Sequence, residues 1–153
     1  MKPFYREATI ADAISVAKNI RVEDKKEMEG LGQVPNSLIF SVLISNPSVA
    51  FFNKHHKICG VAGIIKDPLV PTIGQIWMIC TPELEHNPVT FVKQAKRWLR
   101  EQTDFHMLSN IADSRNHYHH KLLKLLGFKA LREVQVGPDN LTYLEIVKLC
   151  VQQ

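Results

Sequence analysis

Gly74-Gln75-Ile76-Trp77-Met78-Ile79-Cys80, followed at once by Thr81-Pro82-Glu83-Leu84-Glu85-His86-Asn87-Pro88, is the stretch on which the fold turns. The first part is almost uninterruptedly apolar, the pattern of a strand buried on both faces. The second carries two prolines and reads as a loop. Phe91, Ala95, Trp98 and Leu99 then mark the buried stripe of a helix reaching Gln102, and Phe105 to Ala112 reads as another strand. Strand, helix, strand from Gly74 to Ala112 is a β-α-β unit, which requires one parallel crossover.

Outward from that unit the remaining elements are antiparallel in type. Val49 to Asn53 and Ile58 to Ile65 flank Lys54-His55-His56-Lys57 and read as a hairpin. Upstream lies a helix from Ser37 to Ser45, stopped by Asn46-Pro47. Before it, Thr9 and Asp12 carry a helix-start signature, and Ile14, Ala17 and Ile20 extend one amphipathic helix from Ile10 to about Glu29, ended by Gly30 and Gly32. Phe4 to Ala8 is a short opening strand. Downstream, Asn116 caps a helix to Leu126, Gly127 stops it, and Phe128 to Val136 and Leu141 to Leu149 close the chain as a hairpin.

The 153 residues suit one domain, with ordinary apolar and charged fractions and no repeat or linker. The three cysteines, Cys59, Cys80 and Cys150, sit in apolar runs with no metal or redox spacing, which argues for a reducing compartment. The N-terminus has no apolar signal region, and no apolar run is long enough to span a membrane. A cytoplasmic protein without membrane attachment is therefore expected. The net charge of +4 is spread along the chain. No RGG tract, zinc-finger spacing or polybasic arm supports a nucleic-acid partner.

The order β-α-α-β-β-β-α-β-α-β-β resembles the GNAT acetyltransferase fold over essentially the whole chain. That fold is α+β: a mixed, mostly antiparallel seven-stranded sheet with flanking helices and one parallel, splayed strand pair. Arg6-Glu7-Ala8-Thr9-Ile10-Ala11-Asp12-Ala13 resembles its first strand and helix start. Gly74 to Leu99 takes the place of the cofactor-binding strand, loop and helix, and Asn116 with Leu126-Gly127-Phe128 resembles its late Asn…Gly-Phe motif. Within the fold, Ile76-Trp77-Met78-Ile79-Cys80-Thr81-Pro82, Phe91…Ala95…Trp98, Leu108-Ser109-Asn110 and Asn116…Leu122 to Phe128 are similar to small GNAT-like proteins of short-tailed bacteriophages, among them internal virion proteins. That similarity implies a host-cytoplasmic protein with a phage or host protein as partner.

The resemblance implies acetyl-CoA as cofactor, with Ile79, Cys80, Thr81, Thr90, Lys93 and Asn116 as its binding residues. The family's phosphate loop is rich in glycine, which lets backbone N–H groups approach the anion at a helix N-terminus. Thr81 to Thr90 contains no glycine, two prolines that remove donors, and two acids, Glu83 and Glu85, that repel phosphate. The family's tyrosine acid would fall at Leu123. Tyr118 is the nearest phenol, placed either as that acid or as packing with Leu122 and Leu125. The usual strand glutamate is replaced by Gln75, leaving Asp113 as a base or a turn former. Asn110, a polar residue beside the splay, either holds the strand pair or binds a ligand there.

Other clusters carry less. His117 and His120 share a helix face at metal-ligand spacing without further ligands, and the histidines from His117 to His120 read as a solvated face. Cys80 reads as core, not nucleophile. Lys93, Lys96, Arg97 and Arg100 form a wet cationic face. Asp24, Glu27 and Glu29 either border an acceptor groove or pair with Lys25 and Lys26. The terminal hairpin offers an edge for a homodimer. Two functions follow: a GNAT-like protein with degenerate catalytic motifs that works by protein binding, or an acetyl-CoA-dependent N-acetyltransferase.

Overall fold

The chain's structure, a computed structural model, describes residues 2–150. Its strands are β1 (Phe4–Glu7), β2 (Ser48–Phe52), β3 (Ile58–Lys66), β4 (Ile73–Cys80), β5 (Met107–Asp113), β6 (Lys129–Val136) and β7 (Leu141–Leu149). Its α-helices are α1 (Ile10–Lys18), α2 (Val22–Gly30), α3 (Ser37–Ile44), α4 (Pro88–Arg100) and α5 (His117–Leu125). The strands form one sheet in the order β1-β2-β3-β4-β5-β7-β6. All pairs are antiparallel except β4 with β5. The terminal hairpin leaves β6 at the sheet's edge.

Local chemistry explains most boundaries. The Thr9 side chain accepts from the Asp12 N–H, and the Asp12 carboxylate accepts from the Thr9 N–H, which opens α1 with a capping box. Asn116 caps α5 by accepting from the His119 N–H. Gly127, with φ near +95°, ends that helix in the left-handed region.

Two expectations are corrected. The single helix from Ile10 to Glu29 is two, because the Arg21 N–H leaves the helical ladder and donates to the Cys80 carbonyl at 3.0 Å. The segment from Pro82 to Pro88 is not irregular: Pro82–His86 is a 3₁₀ turn opened by Thr81, and Pro88 begins α4.

Two apolar cores lie on opposite faces of the sheet. One gathers Ala13, Val16, Met28, Leu38 and Val42 from the first three helices against Ala50 and Val61. The other packs Phe91, Trp98 and Leu99 of α4 and Leu122 and Leu123 of α5 on Phe51, Ile64, Leu108 and Ile146. Helices thus cover both faces, each burying its apolar side against the sheet.

Candidate functional site: the opening between β4 and β5

The parallel pairing of β4 and β5 stops after Ile73↔Met107, Gly74↔Leu108 and Gln75↔Ser109. Beyond it β5 stays paired with β7 up to Asp113↔Tyr143, while β4 stays paired with β3 up to Gly60↔Cys80. The two strands therefore diverge. This corrects the reading of β4 as buried on both faces: Ile76 to Ile79 are only half-buried, because no strand covers that side. The gap is a cavity of about 510 Å³ that passes between the strands. Ile76, Met78 and Ile79 line one side and Asn110, Ile111 and Ala112 the other, with Phe40, Ser41 and Ile44 of α3 at its rim.

The opening is closed at both ends. At its vertex the Asn110 side chain donates to the Ile76 carbonyl and accepts from the Ile111 N–H. Of the two roles that sequence allows Asn110, the structure displays the strut between strands. At its wide end α2 fills the gap. The Asp24 carboxylate accepts from the Cys80 N–H at 2.8 Å and from Asn116 Nδ2 at 2.9 Å. One carboxylate thus bridges the end of β4 to the start of α5. Asn116 Nδ2 also donates to Glu27 at 3.0 Å, and His119 Nδ1 donates to the same Glu27 oxygen at 3.3 Å. Arg21 pairs with Asp24 at 3.0 Å and with Glu85 at 3.2 Å, and its guanidinium lies 4.8 Å from the centre of the Tyr118 ring.

This network is buried: Arg21, Asp24 and Asn116 are each at most 3% exposed. Buried charges require partners, and here each has one. Burial pushes the Asp24 carboxyl pKa above its usual value, against the pull of His119 and Arg21. Burial alone would lower the His119 pKa. The hydrogen bond and charge of Glu27, with the charge of Asp24, outweigh it and hold the imidazole above its ordinary value. The Tyr143 hydroxyl donates to the Glu27 carbonyl at 2.6 Å, and Gly30 leaves it room, since a Cβ there would meet that hydroxyl.

The sequence-derived site residues are partly assembled. Cys80 and Asn116 meet through Asp24, and Ile79 lines the opening. Burial raises the Cys80 thiol well above its usual range. Tyr118 stands beside them beneath Arg21, its hydroxyl buried with no hydrogen-bond partner among the described residues. Thr81 faces away, donating its hydroxyl to the Ile58 carbonyl at 2.7 Å. Thr90 and Lys93 lie on α4 outside the network, Thr90 donating its N–H to the Asn87 side chain and Lys93 exposed. Asp113 is engaged by Arg115 at 2.6 Å, which fits its turn-forming role.

One sequence reading of this region fails and one holds in part. His119 is not on a solvated face: its side chain is 12% exposed against Glu27. Of the three acids that the sequence could pair with Lys25 and Lys26, Glu29 does so, 3.9 Å from Lys25, whereas Asp24 and Glu27 turn into the buried network. The sequence leaves Asp24 and Glu27 as groove-bordering or surface-paired acids and His119 on a solvated face, and it gives Arg21 no role. The available signal was spacing: Arg21, Asp24 and Glu27 recur every three residues on one helix face. His117 is exposed and His120 Nε2 donates to the Asp113 carbonyl at 2.7 Å. Among the described residues no three His, Cys, Asp or Glu side chains converge on a metal position, and no helix is long and apolar enough to cross a membrane.

The sequence matches no protein-family model and no curated protein. Its architecture does match solved structures. An acetyltransferase of the GNAT family from Bacillus anthracis superposes with a TM-score of 0.71 at 12% identity, covering 97% of this chain and 95% of that one. The fold is the GNAT fold. A GNAT acetyltransferase from Streptococcus pneumoniae gives 0.66 at 16% identity, over 98% of this chain and 100% of that one. A GNAT phosphinothricin acetyltransferase from Sinorhizobium meliloti, solved in complex with AcCoA, gives 0.70 at 15% identity, over 97% and 89%. At these identities the likeness carries the GNAT architecture, and the site must be argued from its own residues.

Proposed function

We propose that this chain keeps the GNAT architecture but works by binding a protein partner rather than by transferring an acetyl group; its phage-like phrases suggest a phage or host protein as that partner. One observation carries the reading. Asp24 occupies both the Cys80 N–H and the Asn116 amide, two groups that the GNAT resemblance assigns to the cofactor. The turn after β4 agrees. It holds no glycine, Glu83 engages Asn53 and His86, and Glu85 engages Arg21. The rim adds a surface for a partner: Leu31, Phe40 and Ile44 border the opening and are exposed by 37%, 64% and 47%.

A second reading is favoured by the structural relatives, which are acetyltransferases, and by one feature of the site. Glu27 and His119 line the opening. In an acetyl-CoA-dependent N-acetyltransferase, an amine would add to the thioester carbonyl as the carbon–sulfur bond breaks; the nitrogen would give up its proton to Glu27 or solvent, and a protonated His119 would donate one to the departing thiolate.

Titration of the wild-type chain with acetyl-CoA to millimolar concentration separates the two. Binding to the folded state raises Tm by mass action. The expected result is an unchanged Tm and no thiol release above buffer in the presence of polyamines or lysine peptides. A saturable rise in Tm with amine-dependent thiol release overturns the proposal in favour of the enzyme.

A further inference from the structure

Asn116 and Tyr118 stand at the start of α5; at its other end lies a second groove, of about 550 Å³. It forms where α4 ends at Arg100, α5 at Leu125 and β7 at Leu149. Leu99 and Leu126 are buried and line both this groove and the β4–β5 opening, so they are the partition between the two. Three cations face the groove, Lys96 and Arg100 from α4 and Lys148 from β7, and no acid lines it. Among the described residues none of the three has a carboxylate within ion-pair distance. The neighbouring acid, Glu101, accepts from the Tyr5 hydroxyl instead. Lys148 is held in place: its Nζ lies over Gly127, where a Cβ would meet it. Lys124 and Lys129 flank that stretch of chain, exposed and of the same sign.

Helix dipoles account for part of this charge. A helix C-terminus carries about half a negative charge, so the ends of α4 and α5 offset about one of the three positive charges. The rim, in contrast, is apolar: Leu125 and Leu149 are 58% and 66% exposed. Unpaired cations beside exposed leucines are covered together by a segment of opposite charge that also brings aliphatic side chains.

We propose that this groove docks an acidic protein segment that carries aliphatic side chains between its carboxylates. Its carboxylates pair with Lys96, Arg100 and Lys148, and its aliphatic side chains take Leu125 and Leu149 out of water. A nucleic acid would answer the cations, but no aromatic side chain lines the groove to stack a base, and the leucines would stay wet. Because the partition separates the groove from the opening, the proposal stands whether or not acetyl-CoA binds.

Fluorescence anisotropy of a labelled peptide of repeating Glu-Glu-Leu, titrated with the full chain, tests this. Wild type is expected to bind it saturably, and more weakly as salt rises. Arg100→Ser and Lys148→Ser should each weaken binding about three-fold, and together about ten-fold. Leu125→Ser should weaken it about ten-fold. All three side chains reach solvent, and a cooperative melt checks the fold of each variant. Lys18→Ser removes the same charge from α1, which packs on the other face of the sheet, and should leave binding unchanged. No saturable binding by wild type overturns the proposal, as does binding that the groove variants leave intact. A peptide of repeating Glu-Glu-Ser that binds as tightly also overturns it, since the leucines then contribute nothing. Tighter binding of a single-stranded oligonucleotide of equal charge through the same residues overturns the choice of partner.

Discussion

The two ends of the β4–β5 opening are held by different chemistry. At the vertex a single neutral amide, Asn110, spans from β5 to one carbonyl of β4. At the wide end a charged assembly of Arg21, Asp24, Glu27, Asn116 and His119 joins the linker before α2, α2 itself and α5. A neutral strut contributes a modest amount and fails gracefully. A buried ionic network is nearly balanced when complete and costly when one member is removed, because the remaining charges stay out of water. The wide end is therefore the more fragile and the more titratable of the two.

Substitutions at the two ends should reproduce that ranking. Asn116→Ala removes the donor shared by two buried carboxylates and the cap of α5, so urea denaturation should show a loss of about 3–5 kcal/mol. Asn110→Ala removes the vertex strut and should cost about 1–2 kcal/mol in the same assay. Equal losses at the two positions would erase the contrast.

The charged end should also respond to pH. The folded-state pKa of His119 lies above its unfolded value. Its contribution is then fully present below the unfolded pKa and is lost as pH rises through the folded one. Tm should decline from about pH 6.5 upward, where unfolded histidine titrates, and His119→Gln should flatten that decline while Asn110→Ala leaves it intact. The smallest effect concerns Tyr118, whose hydroxyl is buried without a partner among the described residues. Tyr118→Phe should keep the packing under Arg21 and raise stability by up to about 1 kcal/mol, measured by thermal melts.

Much of the fold was readable from local signals. The capping box at Thr9 and Asp12, the stop at Gly127 and the apolar stripe of Phe91, Ala95, Trp98 and Leu99 are all set by neighbours a few residues away. The break between α1 and α2 is not legible within Ile10 to Glu29, because it depends on Cys80, far along the chain. The site was less readable for the same reason. Asn110 can be singled out as a polar residue beside a splay and Asn116 as a helix cap, but their partners cannot be named. Val22 to Gly30, with a single strongly apolar pair in Val22 and Met28, looks like a surface helix, yet Asp24 and Glu27 are buried.

The sequence alone determined the order of the elements and the parallel crossover, because periodicity, caps and chain breakers act over a few residues; the place where the sheet opens followed only from the resemblance to the GNAT fold. Only the tertiary structure decided what stands in that opening. Whether a carboxylate sits in water or between Cys80 and Asn116 depends on groups distant in the chain, and only folding brings them within hydrogen-bond reach.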